Sequence, residues 1–266
     1  MENMKHPQNS RYDLFSRGIY VDPMVSTERL RVLAQSIKPV ITEIDLIRIG
    51  AEEDGGYLIP NDLEGIETCF SPGVDKIASF EAGLLKYGIG SHLADFSVDG
   101  VPEGVSVETF TKKYIGANNN DKFISMEAWI KGIPGLEKNT DLILQMDIEG
   151  GEYETILSMP DDILRRFRIA VIEFHNIETW GQSDYLSIVE AVFEKIKNIF
   201  HVVHSHPNNA MGIVDMNGFL APRVFEITLL RKDRAISSGE FSKLPNDLDR
   251  PNLKLREEIY FPADWR

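Results

Sequence analysis

The sequence predicts an α/β protein: an open twisted sheet with helices on both faces and a helical extension at the N-terminus. Three observations carry this. Short apolar runs alternate with amphipathic helical stripes, each run closes on glycine or polar residues, and the 266 residues are enough for one large core. The pattern divides into an arm and helix over residues 1–40, a sheet domain over 41–234 and a polar tail over 235–266.

In chain order, residues 1–24 are polar with scattered Tyr12, Phe15 and Tyr20, an arm that docks on the body or on a neighbouring subunit of a homo-oligomer. Ser26 is an N-cap, and Leu30, Leu33 and Ile37 recur at helical spacing until Lys38-Pro39 stops them. Leu46 to Pro60 places two β-like runs around Asp54-Gly55-Gly56, a hairpin signal; Asp54 and Tyr57 belong either to a structural hairpin or to a ligand-facing loop. Ile66 to Ser71 is a short strand ending at Pro72-Gly73, and Ser79 to Tyr87 is the helix after it. A strand, a glycine turn and a helix start let backbone approach a ligand, although no G-x-G-x-x-G fingerprint is present. About 20 residues on, His92 to Asp95 forms a second strand ending in an acid, at the spacing where a carboxylate receives a ribose hydroxyl. Asp95 is the ribose candidate, and a turn-forming aspartate is the alternative. Val105 to Phe110 is a third strand, followed by a solvated loop at Asn118 to Asp121.

The densest stretch is Leu142 to Glu154. Leu142 to Met146 reads as a buried parallel strand and Gly150-Gly151 as the turn that ends it, which leaves Asp147 and Glu149 at the strand's carboxyl end. Glu149 and Glu152 could equally cap the next helix, whose stripe of Tyr153, Ile156 and Leu157 ends before Pro160. Ile169 to Phe174 is another strand, running into Glu173-Phe174-His175-Asn176. A long amphipathic helix begins near Ser183 with Leu186, Val189, Val192, Phe193, Ile196 and Phe200 on one face. His201 to His204 is the next strand, leading to Ser205-His206-Pro207-Asn208-Asn209, and Val224 to Leu230 is the last. If the strands are parallel, right-handed crossovers bring Gly73, Asp95, Asp147, His175 and His206 to one edge.

Charge and composition narrow the classes. A net charge of −14, with 28 basic residues that form no dense cluster, argues against nucleic acid. The lone Cys69 excludes an intrachain disulfide and a cysteine-rich zinc site, in keeping with a reducing cytoplasm. The sequence has no apolar run near the ~20 residues of a membrane span and no signal-peptide stretch in its first thirty residues. A soluble cytoplasmic protein acting on a small molecule is the expectation.

Met146-Asp147-Ile148-Glu149-Gly150-Gly151-Glu152 resembles the K-I-D-V-E-G-A-E motif of FkbM-type methyltransferases, which use S-adenosylmethionine. Arg48 to Tyr57 resembles the R-I-G-x-x-x-D-G-G-Y segment of related proteins, and Phe70-Ser71-Pro72-Gly73 through Ser79-Phe80-Glu81 their shortened first motif. The late segment His206-Pro207-Asn208-Asn209 with Phe225-Glu226-Ile227-Thr228 is similar too. The resemblance implies a Rossmann-like, seven-stranded methyltransferase sheet over 41–234, S-adenosylmethionine as cofactor, and O-methylation of a sugar or natural-product hydroxyl. It further implies that Ser71 and Asp147 are among the cofactor-binding residues, that Gly73 borders the methionine part, Asp95 holds the ribose and Ser125-Met126 lie near the adenine, and that Asp147 stands beside the reacting centre. Pro72 with a lone glycine, and Gly151 in place of alanine, depart from the pattern.

Methyl transfer from a sulfonium is an in-line displacement that requires alignment and removal of the alcohol proton. Asp147, His175 and His206 are the candidate bases. Asp147, Glu173, His175, His206 and Asn209 could instead hold Mg or Mn as a divalent metal that acidifies the hydroxyl. For His201 and His204 a structural role is preferred. The competing classes are an NAD(P)-dependent oxidoreductase and a non-catalytic scaffold of the same fold.

Overall fold

The structure is a computed structural model describing residues 7–74, 78–102 and 104–265; the first six residues of the expected arm lie outside the described residues. The expected arm contains a helix, α1 (Pro7–Ser16). Tyr12, Phe15 and Tyr20 remain exposed rather than buried on the body. Helix α2 (Thr27–Ser36) starts as predicted: the Arg29 N–H donates to the Ser26 hydroxyl, and Leu30, Leu33 and Ala34 form the buried stripe.

Strand β1 (Val40–Thr42) leads into the predicted hairpin of β2 (Leu46–Ile49) and β3 (Tyr57–Pro60), in register with Ile49 opposite Tyr57. Strand β4 (Ile66–Pro72), helix α3 (Ser79–Leu84) and strand β5 (Gly90–Ala94) follow the predicted strand, turn and helix. The third strand is displaced. It forms as β6 (Thr109–Thr111), where His92 to Ala94 offer a pairing edge, while Val105 and Val107 pack their side chains beside Val74 and Leu93.

Two short strands, β7 (Tyr114–Ile115) and β8 (Phe123–Ile124), flank the polar loop and lead to α4 (Met126–Lys131). Then come β9 (Asp141–Met146), α5 (Glu152–Ser158), α6 (Asp161–Leu164), β10 (Phe167–Phe174), α7 (Ser183–Ile199) and β11 (Phe200–Pro207). A small hairpin, β12 (Ile213–Met216) and β13 (Phe219–Pro222), precedes β14 (Phe225–Arg231) and β15 (Ser237–Phe241).

Among the described residues the main sheet has seven strands in the order β11-β14-β10-β9-β4-β5-β6. Only β14 runs against its neighbours. This is the Rossmann-like α/β sheet expected, with α3 and the β2–β3 hairpin on one face and α4, α5 and α7 on the other. The even-numbered residues Leu142, Leu144, Ala170, Ile172 and Phe174 face the helical layer, and Ile143, Ile169 and Val171 face the hairpin layer. Both faces are covered, which is why these strands read as continuous apolar runs. The order reverses between β4 and β9, so their crossovers diverge and open a crevice at their carboxyl ends.

Residues 235–265 do not behave as the polar tail expected. Strand β15 pairs antiparallel with β1, Val40 opposite Phe241, and Phe261 and Trp265 are buried against Phe225 and Trp180. Their rings add apolar burial that the segment's polar composition conceals.

Candidate functional site

The crevice is built around Gly73 and Asp147, the residues that follow β4 and β9. Gly73 has φ +83°, and a Cβ placed there would lie 1.5 Å from the Asp147 carbonyl oxygen. No side chain fits, so glycine is required both for the turn and for the close approach of the two strand ends. The Asp147 N–H donates to the Pro72 carbonyl (3.2 Å) and the Gly73 N–H to the Ala94 carbonyl (3.0 Å), which ties the ends of β4, β5 and β9 together.

Three cavities meet at Asp147. The largest, about 570 Å3, is lined by Gly73, Asp95, Tyr114, Phe123, Ile148 and Glu149, among others. A second of about 80 Å3 lies between Asp54, Tyr57, Gly73 and Glu81. The third, about 280 Å3, is strongly acidic, with Asp54, Asp147, Glu149, Glu173 and Glu178 on its walls, His175 among them and Arg223 paired with Glu178 at 3.3 Å. Asp147 lines all three.

His175, just beyond β10, stands at the centre of the acids. Its Nε2 lies 3.3 Å from Glu173 Oε1 and 3.6 Å from both Asp147 Oδ1 and Glu149 Oε2. Its Nδ1 lies 3.2 Å from Oε1 of the fully buried Glu152. The same Glu152 oxygen accepts from the Ile148 and Gly150 N–H groups. Glu152 therefore ties down the loop before α5, where the sequence offered it as a cap of that helix, and orients the imidazole. Glu149 reaches the cluster from a left-handed backbone, φ 56°, ahead of Gly150 at φ 105°. Burial would lower the His175 pKa, but hydrogen bonding to Glu152 and the charge of Glu173 outweigh it and push it up to about 11. The ring holds its proton at neutral pH in this setting, which makes it a poor free base. Burial and then the neighbouring Glu173 raise the Asp147 carboxyl well above the usual range.

Other expected residues lie elsewhere. Asp95 lines the large cavity, and its carboxylate accepts from the Val74 N–H (3.1 Å) and from the Ser97 N–H (2.6 Å) and hydroxyl (2.7 Å); a place on the cavity wall and turn chemistry coexist there. Ser71 is buried behind the crevice, between Glu81 and Gln145, whose amide donates to Tyr57. One hydroxyl proton cannot serve both acceptors, and Glu81, raised by burial, can supply a proton when protonated. Ser125 caps α4 through the Ala128 N–H, and Met126 is core; neither lines the large cavity. Tyr114 and Phe123, in tilted ring contact at 5.4 Å, wall the cavity instead.

His206 and Asn209 are not part of the acidic cluster. His206 pairs across the ladder with Glu226 and faces Asp249 of the C-terminal segment, Nδ1 to Oδ2 3.7 Å. Asn209 is occupied by backbone: its amide donates to the Leu253 carbonyl (3.0 Å) and its oxygen accepts from the Leu253 N–H (2.9 Å). Its neighbour Asn208 reaches the site, donating to Glu173. Sequence reading missed Tyr114, Phe123, Asn208, Glu178 and Arg223, which come from short strands and loops without periodicity; an aromatic at each end of the 118–121 loop was the available signal.

Residues 96–202 match the family described as methyltransferase FkbM domain. Over that stretch the chain is similar to the FkbM methyltransferase domain. The matched stretch runs from just after β5 to early β11 and includes Asp147, Glu149, Glu152, Glu173 and His175. No curated protein matches the chain. Among solved structures, a Methanococcus jannaschii fibrillarin pre-rRNA processing protein is 10% identical with a TM-score of 0.37, over 71% of this chain and 83% of that one. The Synechocystis magnesium protoporphyrin IX methyltransferase, solved with bound SAH, is 13% identical with a TM-score of 0.34, over 64% of this chain and 76% of that one. Among the described residues no helix is long and apolar enough to cross a membrane.

Proposed function

We propose that the protein is an S-adenosylmethionine-dependent methyltransferase acting on a hydroxyl of a small molecule or saccharide. The carrying observation is the junction at Asp147: a cavity of about 570 Å3, large enough for a nucleoside cofactor, opens into an acid-lined cavity of about 280 Å3 at the switch point of a sheet similar in part to the FkbM domain. In this reading the adenosyl part lies against the wall formed by Tyr114 and Phe123, Asp95 receives the ribose hydroxyls, and the methionine end passes Gly73. The sulfonium methyl then points past Asp147 toward the second cavity. The acceptor oxygen forms its bond to the methyl carbon as the carbon–sulfur bond breaks, its electron pair passing to sulfur. The products are S-adenosylhomocysteine and a methyl ether, and the hydroxyl proton leaves to a carboxylate of the Asp147 cluster. Alignment supplies most of the rate, and the clustered carboxylates favour the cationic cofactor.

Differential scanning calorimetry tests the cofactor. S-adenosylhomocysteine at about 100 times its Kd should stabilise the protein by about 2.7 kcal/mol, and NAD should leave it unchanged. Stabilisation by NAD alone would overturn the reading in favour of an oxidoreductase, and stabilisation by neither would favour a scaffold.

A further inference from the structure

We infer that Asp147, Glu149, Glu173 and His175 form a binding site for a divalent cation of the Mn2+ type, at the mouth of the acidic cavity, with Glu152 holding the histidine. Three features support it. First, the donors converge: among the described residues, Asp147, Glu149 and His175 can present ligand atoms within 4.8 Å of one another, and Glu173 Oε1 lies 3.3 Å from the same imidazole nitrogen. Donor atoms around a single cation, each ~2.1–2.4 Å from it, are separated by comparable distances.

Second, the histidine is oriented as a ligand, and a cation at Nε2 would displace the proton held there. Glu152 Oε1 faces Nδ1 at 3.2 Å, the carboxylate–histidine arrangement that fixes ring orientation and directs the other nitrogen to a metal. Nε2 is the nitrogen that faces the three remaining acids. Third, Asp147 Oδ1 is sealed from solvent, accepts no hydrogen bond and points at this nitrogen from 3.6 Å. A carboxylate oxygen buried without a donor is costly, and a cation in the cluster would satisfy it.

The donor set also selects the cation. Three carboxylates suit a hard ion, and one imidazole shifts the preference from Mg2+ toward Mn2+. His206 and Asn209 belong to the C-terminal contacts, so the site differs from the five-residue set expected from sequence. On the methyltransferase reading the cation would adjoin the acceptor, which makes an oxygen chelator the favoured substrate class.

Mn2+ binding to the full chain, stripped with EDTA and free of cofactor, is measured by the loss of the free-ion electron paramagnetic resonance signal. The expected result is stoichiometric binding that weakens ~10–100-fold in Glu152→Gln, which loses the contact orienting the histidine. Glu149→Gln should weaken it at least 10-fold, and this side chain is 86% exposed, so the variant keeps its fold. Glu178→Gln, from the same cavity wall but outside the cluster, should bind Mn2+ as the parent does. No binding by the parent, or equal binding by Glu149→Gln, overturns the site. S-adenosylhomocysteine binding is titrated separately without Mn2+: if it binds while Mn2+ does not, the metal site alone fails, and if Mn2+ binds while it does not, the cofactor reading alone fails.

Discussion

At Gly73 a single hydrogen atom decides whether β4 and β9 can close. The position combines φ +83° with a Cβ-to-carbonyl distance of 1.5 Å, so Gly73→Ala must move the backbone of Asp147, and with it the shared wall of all three cavities. The expected outcome is at least a ~10-fold loss of S-adenosylhomocysteine affinity by titration calorimetry, or ~1.4 kcal/mol. Unchanged affinity would show that the crevice is not the cofactor site. Asp147 and His175 illustrate how far residue-level reading extends. Strand-end logic located both, because an apolar run must end where polar groups meet solvent. It could not show that Glu149, Glu152 and Glu173 would surround one imidazole, since that depends on two separate loops meeting.

Among the elements, the C-terminal segment diverges most from its composition. Asp249 is buried beside β11, with His204 Nε2 2.9 Å from one oxygen and His206 Nδ1 3.7 Å from the other. Burial would raise the Asp249 carboxyl, but the two histidines hold it well below the usual carboxylate range. Burial would lower His206, but Asp249, with the charges of Glu226 and Glu258, raises it. The signs follow from linkage. The His206 contribution is fully present below its unfolded value near 6.5 and is lost as pH rises through the raised folded value; the Asp249 contribution is present above the unfolded value near 3.8 and is lost only in strong acid. The segment should therefore loosen from β11 on the alkaline side, read as faster proteolysis of residues 242–262 at pH 9 than at pH 6. Asp249→Asn should flatten that difference, and a parent chain with the same rate at both pH values would refute the coupling. Strand β11 itself was predicted, but not its place at the sheet edge, where β14 separates it from β10 and His206 faces Asp249 instead of His175.

Over the whole molecule, the net charge of −14 and the acids around His175 set a field that favours cations. S-adenosylmethionine carries one more positive charge than its demethylated product, so the two should differ in salt dependence. Raising ionic strength from 0.01 to 0.15 M shortens the Debye length from about 30 to about 8 Å. The association rate of the methylated form should fall several-fold by stopped-flow fluorescence, while that of the product stays nearly constant; equal responses would show that the field does not steer the cofactor. Its periodicity alone determined that this chain is an α/β protein, because covered strands need continuous apolar runs and surface helices need stripes. Its strand ends likewise determined that Gly73, Asp95, Asp147 and His175 lie along one edge. Tertiary structure alone decided which acids surround His175, which aromatics wall the large cavity, and that His206 and Asn209 serve the C-terminal segment. Those outcomes rest on strand order and on contacts between residues far apart in the chain, and local pattern carries no record of either.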